Sequence, residues 1–181
     1  MIEDPVRYTT DFTHSIAQLT RKHSAGARSR TLGLAEAELG YAIDTRIQIY
    51  GNLRSGPECV SPQIKVTLSY NPMTVYVASE YKKGTCQFDE VWRHEMRHVA
   101  VYRKHLATAR AELEQELRKV ISAPYYSFDT PGQGKQYLSE AIQSFWAERI
   151  NHYIQGVREK QAAVDTPEEY ARMAKTCGGI W

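Results

Sequence analysis

Hydrophobic and polar positions alternate with period two in the first half of the chain and with a period near 3.6 in the second. Ile64-Lys65-Val66-Thr67-Leu68-Ser69-Tyr70 alternates throughout, and Tyr41 to Tyr50 alternates over its second half, the pattern of half-buried strands. Thr74-Val75-Tyr76-Val77-Ala78 reads as a further strand, and Asn71-Pro72 reads as the turn joining it to Ile64–Tyr70 in a hairpin. After Lys82-Lys83-Gly84 the period changes. Residues 87–121 hold no Gly or Pro, and Phe88, Val91, Trp92, Val99, Tyr102, Leu106, Leu113, Leu117 and Val120 form one apolar stripe. That stripe predicts a long helix, with Thr85 or Asp89 at its cap and Ala123-Pro124 at its end. Ser127 to Gly134 is a loop rich in Gly, Pro and Asp. A second helix is predicted over residues 135–157, on Leu138, Ile142, Phe145, Trp146, Ile150 and Tyr153. A third opens at Thr166-Pro167-Glu168-Glu169, which has capping-box spacing with Pro at the first helical position, and Gly178-Gly179 closes it. A short helix is expected within Asp11–Lys22. The order, a β-rich part over 1–84 and a helical part over 85–181, predicts an α+β fold: a small N-terminal antiparallel sheet followed by helices, in a single domain.

Composition narrows the classes without choosing one. The 181 residues are 42% hydrophobic and 24% charged, ordinary for a chain that buries its own core. The 23 Lys and Arg are interspersed with 21 Asp and Glu, so no basic stripe points to a nucleic-acid partner. No apolar run approaches the roughly 20 residues of a bilayer span. Met1-Ile2-Glu3-Asp4-Pro5 lacks the basic region and apolar stretch of a signal peptide, which fits a cytoplasmic protein or an exported one whose leader lies outside this sequence. Cys59, Cys86 and Cys177 show no CxxC spacing, so a zinc knuckle is not expected. Two readings of them stand: a Cys59–Cys86 bridge that ties the long helix to the strand region, or three free thiols packed as small hydrophobes.

The chemistry enters at His94-Glu95-Met96-Arg97-His98, inside the long predicted helix. Two histidines four apart project from one face of a helix and can meet a single ion. Glu95 beside them can reach a water in the ion's open position and act as general base, taking a proton during attack on a carbonyl and passing it to the leaving amine. One zinc ion is the expected cofactor, and it needs a third protein ligand.

These five residues resemble the metal-binding helix of the HExxH zincin metallopeptidases. The resemblance implies a sheet before the helix, with an edge strand that binds a protein or peptide substrate in extended form; Thr74–Ala78 occupies that place in the chain. Residues 59–105 also resemble bacterial HExxH proteins with a Cys shortly before the motif, many of them exported, and this favours export over a cytoplasmic location. A metzincin-like site would continue HExxHxxGxxH, but residue 101 is Val101 and the third histidine, His105, falls one residue late. On an unbroken helix His105 would lie about 10 Å along the axis from His98, so it is expected at the surface or outside the ligand set. The gluzincin-like branch takes its third ligand from a later helix. Ser139-Glu140-Ala141-Ile142-Gln143-Ser144 resembles the Asn-Glu-Ala-Ile-x-Asp stretch of thermolysin-like enzymes, which puts Glu140 in the ligand position, with Glu148 and His152 as rivals. Tyr125, Tyr126 and Tyr137 are the candidates for stabilising an oxyanion. The reading is a zinc metallopeptidase with Glu95 as base and His94, His98 and Glu140 on the metal. A degenerate zincin scaffold that only binds a partner, and a zinc amidase acting on a non-peptide amide, are the alternatives.

Overall fold

The computed structural model describes residues 2–3, 6–23, 30–51 and 55–179, with the side chains of residues 2, 3, 147 and 148 outside that description. Its strands are β1 (Ile2–Glu3), β2 (Thr9–Asp11), β3 (Gly33–Gly51), β4 (Glu58–Val77) and β5 (Tyr126–Phe128). Its helices are α1 (Ile16–Lys22), α2 (Cys86–Val120), α3 (Gln133–Ala162) and α4 (Pro167–Lys175), followed by a 3-10 turn at Cys177–Gly179. This is an α+β arrangement, the N-terminal sheet followed by the long helices, but the sheet is mixed and not the expected antiparallel one, since β1 and β2 run parallel to β4. The residues group into two compact units. One comprises Met1–Asp4, Tyr41–Leu68 and Ala107–Gln155; the other comprises Pro5–Gly40, Ser69–Leu106 and Gly156–Trp181.

Every strand pairs with β4. β1 lies parallel to it with Ile2 opposite Thr67, and β2 lies parallel with Thr9 opposite Thr74 and Asp11 opposite Tyr76. β5 is antiparallel, Glu58 facing Phe128 and Val60 facing Tyr126. The hairpin expected at Asn71-Pro72 is not formed, because β4 runs unbroken from Glu58 to Val77. Its buried positions explain how. Val66, Leu68 and Tyr70 are buried, then Met73, Val75 and Val77, while Asn71 and Pro72 are exposed. The alternation slips by one residue at Asn71-Pro72, so an added residue, not a reversal, keeps both halves apolar on one face. In consequence Thr74–Ala78 is no free edge: β2 pairs with residues 74–76, and Ala78 N–H donates to Leu32 O at 2.9 Å.

α2 starts where the sequence places it, with Thr85 as the cap: its hydroxyl accepts from Phe88 N–H at 3.3 Å. α4 starts at Thr166, whose side chain accepts from Glu169 N–H with Pro167 in the first turn. The predicted helix in Asp11–Lys22 is shorter, because residues 9–11 join the sheet and Ser15 with Gln18 forms a capping box before Ile16. In the unit built on residues 41–68 and 107–155, Glu58 is 2% exposed and accepts from Gly132 N–H at 2.9 Å and Gly134 N–H at 2.7 Å, which caps the start of α3.

The core beside α2 is Val77, Phe88, Val91 and Met173, with Phe12, Leu32, Tyr81 and Trp92 packed on it. Met173 brings the end of α4 onto the first turns of α2, and one turn later Cys177 meets Cys86 in a disulfide with Cα atoms 5.5 Å apart. Both cysteine readings are therefore corrected: Cys86 pairs with Cys177, not Cys59, and the three thiols are not all free. Cys59 is a free thiol within β4, opposite Ser127 of β5.

Candidate metal centre

His94 and His98 occupy successive turns of α2 and are 5% and 8% exposed. The third donor comes from the short connection between α3 and α4. Asp165 Oδ1 lies 3.1 Å from His94 Nε2 and 3.3 Å from His98 Nε2, and the two Nε2 atoms are 3.2 Å apart. A tetrahedral zinc ion with ligands at about 2.0–2.1 Å separates those ligands by about 3.3 Å. The three atoms thus stand at the spacing of three corners of such a site, and the donor set of two imidazoles and one carboxylate suits zinc.

Each imidazole is met from behind. Gln161 Oε1 lies 2.6 Å from His98 Nδ1, and Gln161 Nε2 donates to the His98 backbone carbonyl at 3.1 Å. His94 Nδ1 is buried without a hydrogen-bond partner, and Glu169 Oε1 stands 3.6 Å away. The Arg172 guanidinium, joined by Arg97 at 2.7 Å, holds the Glu169 carboxyl down to about 2 against the opposing effect of burial. Burial would raise the Asp165 carboxyl, yet bonding to His94, His98 and the Tyr170 hydroxyl holds it well below the usual carboxylate range. At His98 burial favours the neutral ring, and the negative charge of Asp165 and Glu95 together with Gln161 outweighs it, so its pKa is raised.

Glu95 is 4% exposed, and burial pushes its carboxyl up to about 7 despite the pull of His98 and His94. The Ala35 backbone bonds to the carboxylate from the start of β3. Two residues earlier, a Cβ on Gly33 would fall 2.6 Å from Glu95 Oε1 and 2.6 Å from Val91 Cγ1, so only glycine lets the strand approach the acid this closely. The side chains open into a cavity of about 210 Å³, walled by β3 residues 33–35 on one side and by Tyr102, Tyr170 and Met173 among others.

The structure brings His94, Glu95 and His98 together as the motif implies. Glu140 is not with them: it is exposed on α3, and its carboxylate accepts from Gln136 one turn earlier at 2.9 Å. The carboxylate that meets the two imidazoles is Asp165. Of the rivals, His152 is exposed and packs edge-on against Tyr153, and the Glu148 side chain lies outside the described residues. His105 is not a surface residue. It is 3% exposed, with Nδ1 2.7 Å from the Tyr70 hydroxyl. Tyr126 accepts from Ala123 N–H and packs on Tyr137, and Tyr125 is exposed. The tyrosines lining the cavity are Tyr102 and Tyr170, and Tyr170 donates to Asp165 Oδ1 at 2.9 Å. Asp165, Gln161, Glu169 and Tyr170 escaped the sequence reading. The available signal was four polar residues at near-helical spacing on both sides of the Thr166 cap, directly before and within α4. Comparison with models of known protein families, with characterised proteins and with solved structures returned no match, so the chemistry of this centre stands on its own geometry.

Proposed function

We propose that the chain is a zinc-dependent peptidase, with His94, His98 and Asp165 holding one zinc ion and Glu95 as general base. The observation that carries this is the convergence of three donor atoms at 3.1–3.3 Å beside a buried carboxyl group. A bound zinc ion would supply an activated water and polarise the scissile carbonyl. Glu95 would take the proton that water loses on attack and return it to the leaving amine. Residues 33–35, at the start of β3, line the cavity beside the acid, where an extended peptide would be held. The Tyr170 hydroxyl lies in the same cavity, and its one proton is committed to Asp165 Oδ1, so it orients that carboxylate.

A binding-only scaffold would need no carboxyl group buried at that place, where burial raises its pKa. The Cys86–Cys177 bridge supports export, since such bonds persist in oxidising compartments. Metal analysis of the purified protein should give one zinc per chain, and Glu95→Gln should keep that zinc while hydrolysis of denatured protein and mixed peptides falls by at least about a hundredfold. A wild-type chain without zinc rejects the proposal. Zinc with cleavage confined to cell-wall amides replaces the peptide substrate with a non-peptide one.

A further inference from the structure

Gln161 makes two contacts with one residue, and together they fix a proton. The His98 backbone carbonyl can only accept, so the Gln161 atom 3.1 Å from it is the NH₂ donor. The other end of the amide is then the oxygen, 2.6 Å from His98 Nδ1, and an oxygen acceptor at that distance requires a proton on Nδ1. A neutral imidazole protonated at Nδ1 carries its lone pair on Nε2, the atom that faces Asp165 Oδ1 at 3.3 Å and His94 Nε2 at 3.2 Å. We infer that Gln161 is a positioning residue: through a two-point grip on His98 it selects the Nδ1–H tautomer and holds the ring so that Nε2 points at the metal.

The grip is unusual in using a neutral amide. A carboxylate at this place could accept from Nδ1–H but could not donate to the backbone carbonyl, and so would leave the ring's rotation less constrained. Gln161 also stands four residues before Asp165, so one short stretch at the end of α3 both orients the second donor and supplies the third. Losing the grip frees His98 to adopt the other tautomer or to turn away, and the ligand set then has to be ordered when the metal arrives.

This inference rests on the zinc reading above, and its test does not require activity. Zinc affinity is measured by chelator competition at one pH for the wild type, Gln161→Leu and Gln161→Glu. Gln161→Leu is expected to bind 10- to 100-fold more weakly. Gln161→Glu, which keeps the acceptor for Nδ1–H, is expected to recover most of that loss. Unchanged affinity in Gln161→Leu, or equal weakness in both variants, overturns the assignment. In zinc-loaded wild type, two-bond proton–nitrogen spectra of His98 should show Nδ1 protonated and Nε2 shifted by the metal. The reverse pattern overturns the assignment whether or not either variant folds. A wild type that binds no zinc rejects the metal reading and this inference together. A wild type that binds zinc but hydrolyses nothing rejects the peptidase reading alone and leaves the Gln161 result standing.

Discussion

At Glu95 burial and charge act in opposite directions, and burial wins: its carboxyl is pushed up to about 7. In the metal-free protein the folded state therefore holds a proton that the unfolded chain, with an ordinary carboxyl pKa near 4.5, has already lost. Folding stability contributed here is full below that value and declines as pH rises from about 4.5 through 7, the reverse of a salt-bridged acid. Glu95→Gln removes the penalty. With chelator present, the variant should gain about 1–3 kcal/mol relative to wild type between pH 4 and pH 8, read from denaturant unfolding at the two pH values. A difference that does not change with pH would show that the acid is not buried as described. Gly33 gives a second residue-scale test. Gly33→Ala places a methyl 2.6 Å from both Glu95 Oε1 and Val91 Cγ1. It should cost about 1–3 kcal/mol and depress turnover while zinc content is retained, since neither imidazole nor Asp165 is touched directly. Full activity in a stable Gly33→Ala protein would remove β3 from the site. The clustering of His94, Glu95 and His98 was legible in the sequence because the motif and the helix share one local period. Asp165 was not. It pairs with His94 across 71 residues, a tertiary contact that no local pattern encodes. Glu140 matched a short motif but is spent on a contact with Gln136.

Among elements, α2 and α4 were readable to within a residue or two because caps and an uninterrupted apolar stripe agree. β4 was not, since an Asn-Pro pair between alternating runs has the same signature whether the chain turns or only slips its phase. β5, three residues long, is held by pairing with β4 at Glu58 to Val60, a tertiary cause invisible in its own sequence. Neither reading of the cysteines foresaw Cys177, for a related reason: Met173 packed against Phe88 and Val91 delivers it to Cys86, and no local pattern shows that. This makes α4 a test of element-scale coupling. Glu169, Tyr170 and Met173 all lie on it, and Asp165 and its cap Thr166 stand just before it. Releasing its far end with Cys177→Ser should lower stability by about 2–4 kcal/mol, and should also weaken zinc binding because the segment that carries Asp165 is less constrained. Loss of stability with unchanged zinc affinity would confine the bridge to a structural role and separate α4 from the metal centre.

For the molecule as a whole, the three candidate donors come from two stretches distant in the sequence, so on the proposed reading zinc would bind the folded arrangement far better than the unfolded chain. Mass action then makes stability depend on free zinc: at 100 times the dissociation constant the gain is about 2.7 kcal/mol, and it grows with each further decade. The melting temperature should rise steadily with the logarithm of free zinc and return to the metal-free value on adding EDTA. Glu95→Gln should show the same rise, because its side chain is not a ligand, whereas Asp165→Ala should lose most of it. The same linkage sets where the effect appears. Every donor, the base, Gln161 and Glu169 belong to the unit comprising Pro5–Gly40, Ser69–Leu106 and Gly156–Trp181. Amide hydrogen exchange should therefore slow on zinc addition first at Ala35, along residues 91–98 and through 161–170. A zinc response that survives Asp165→Ala, or that leaves those amides unchanged, would place the metal somewhere other than between His94, His98 and Asp165.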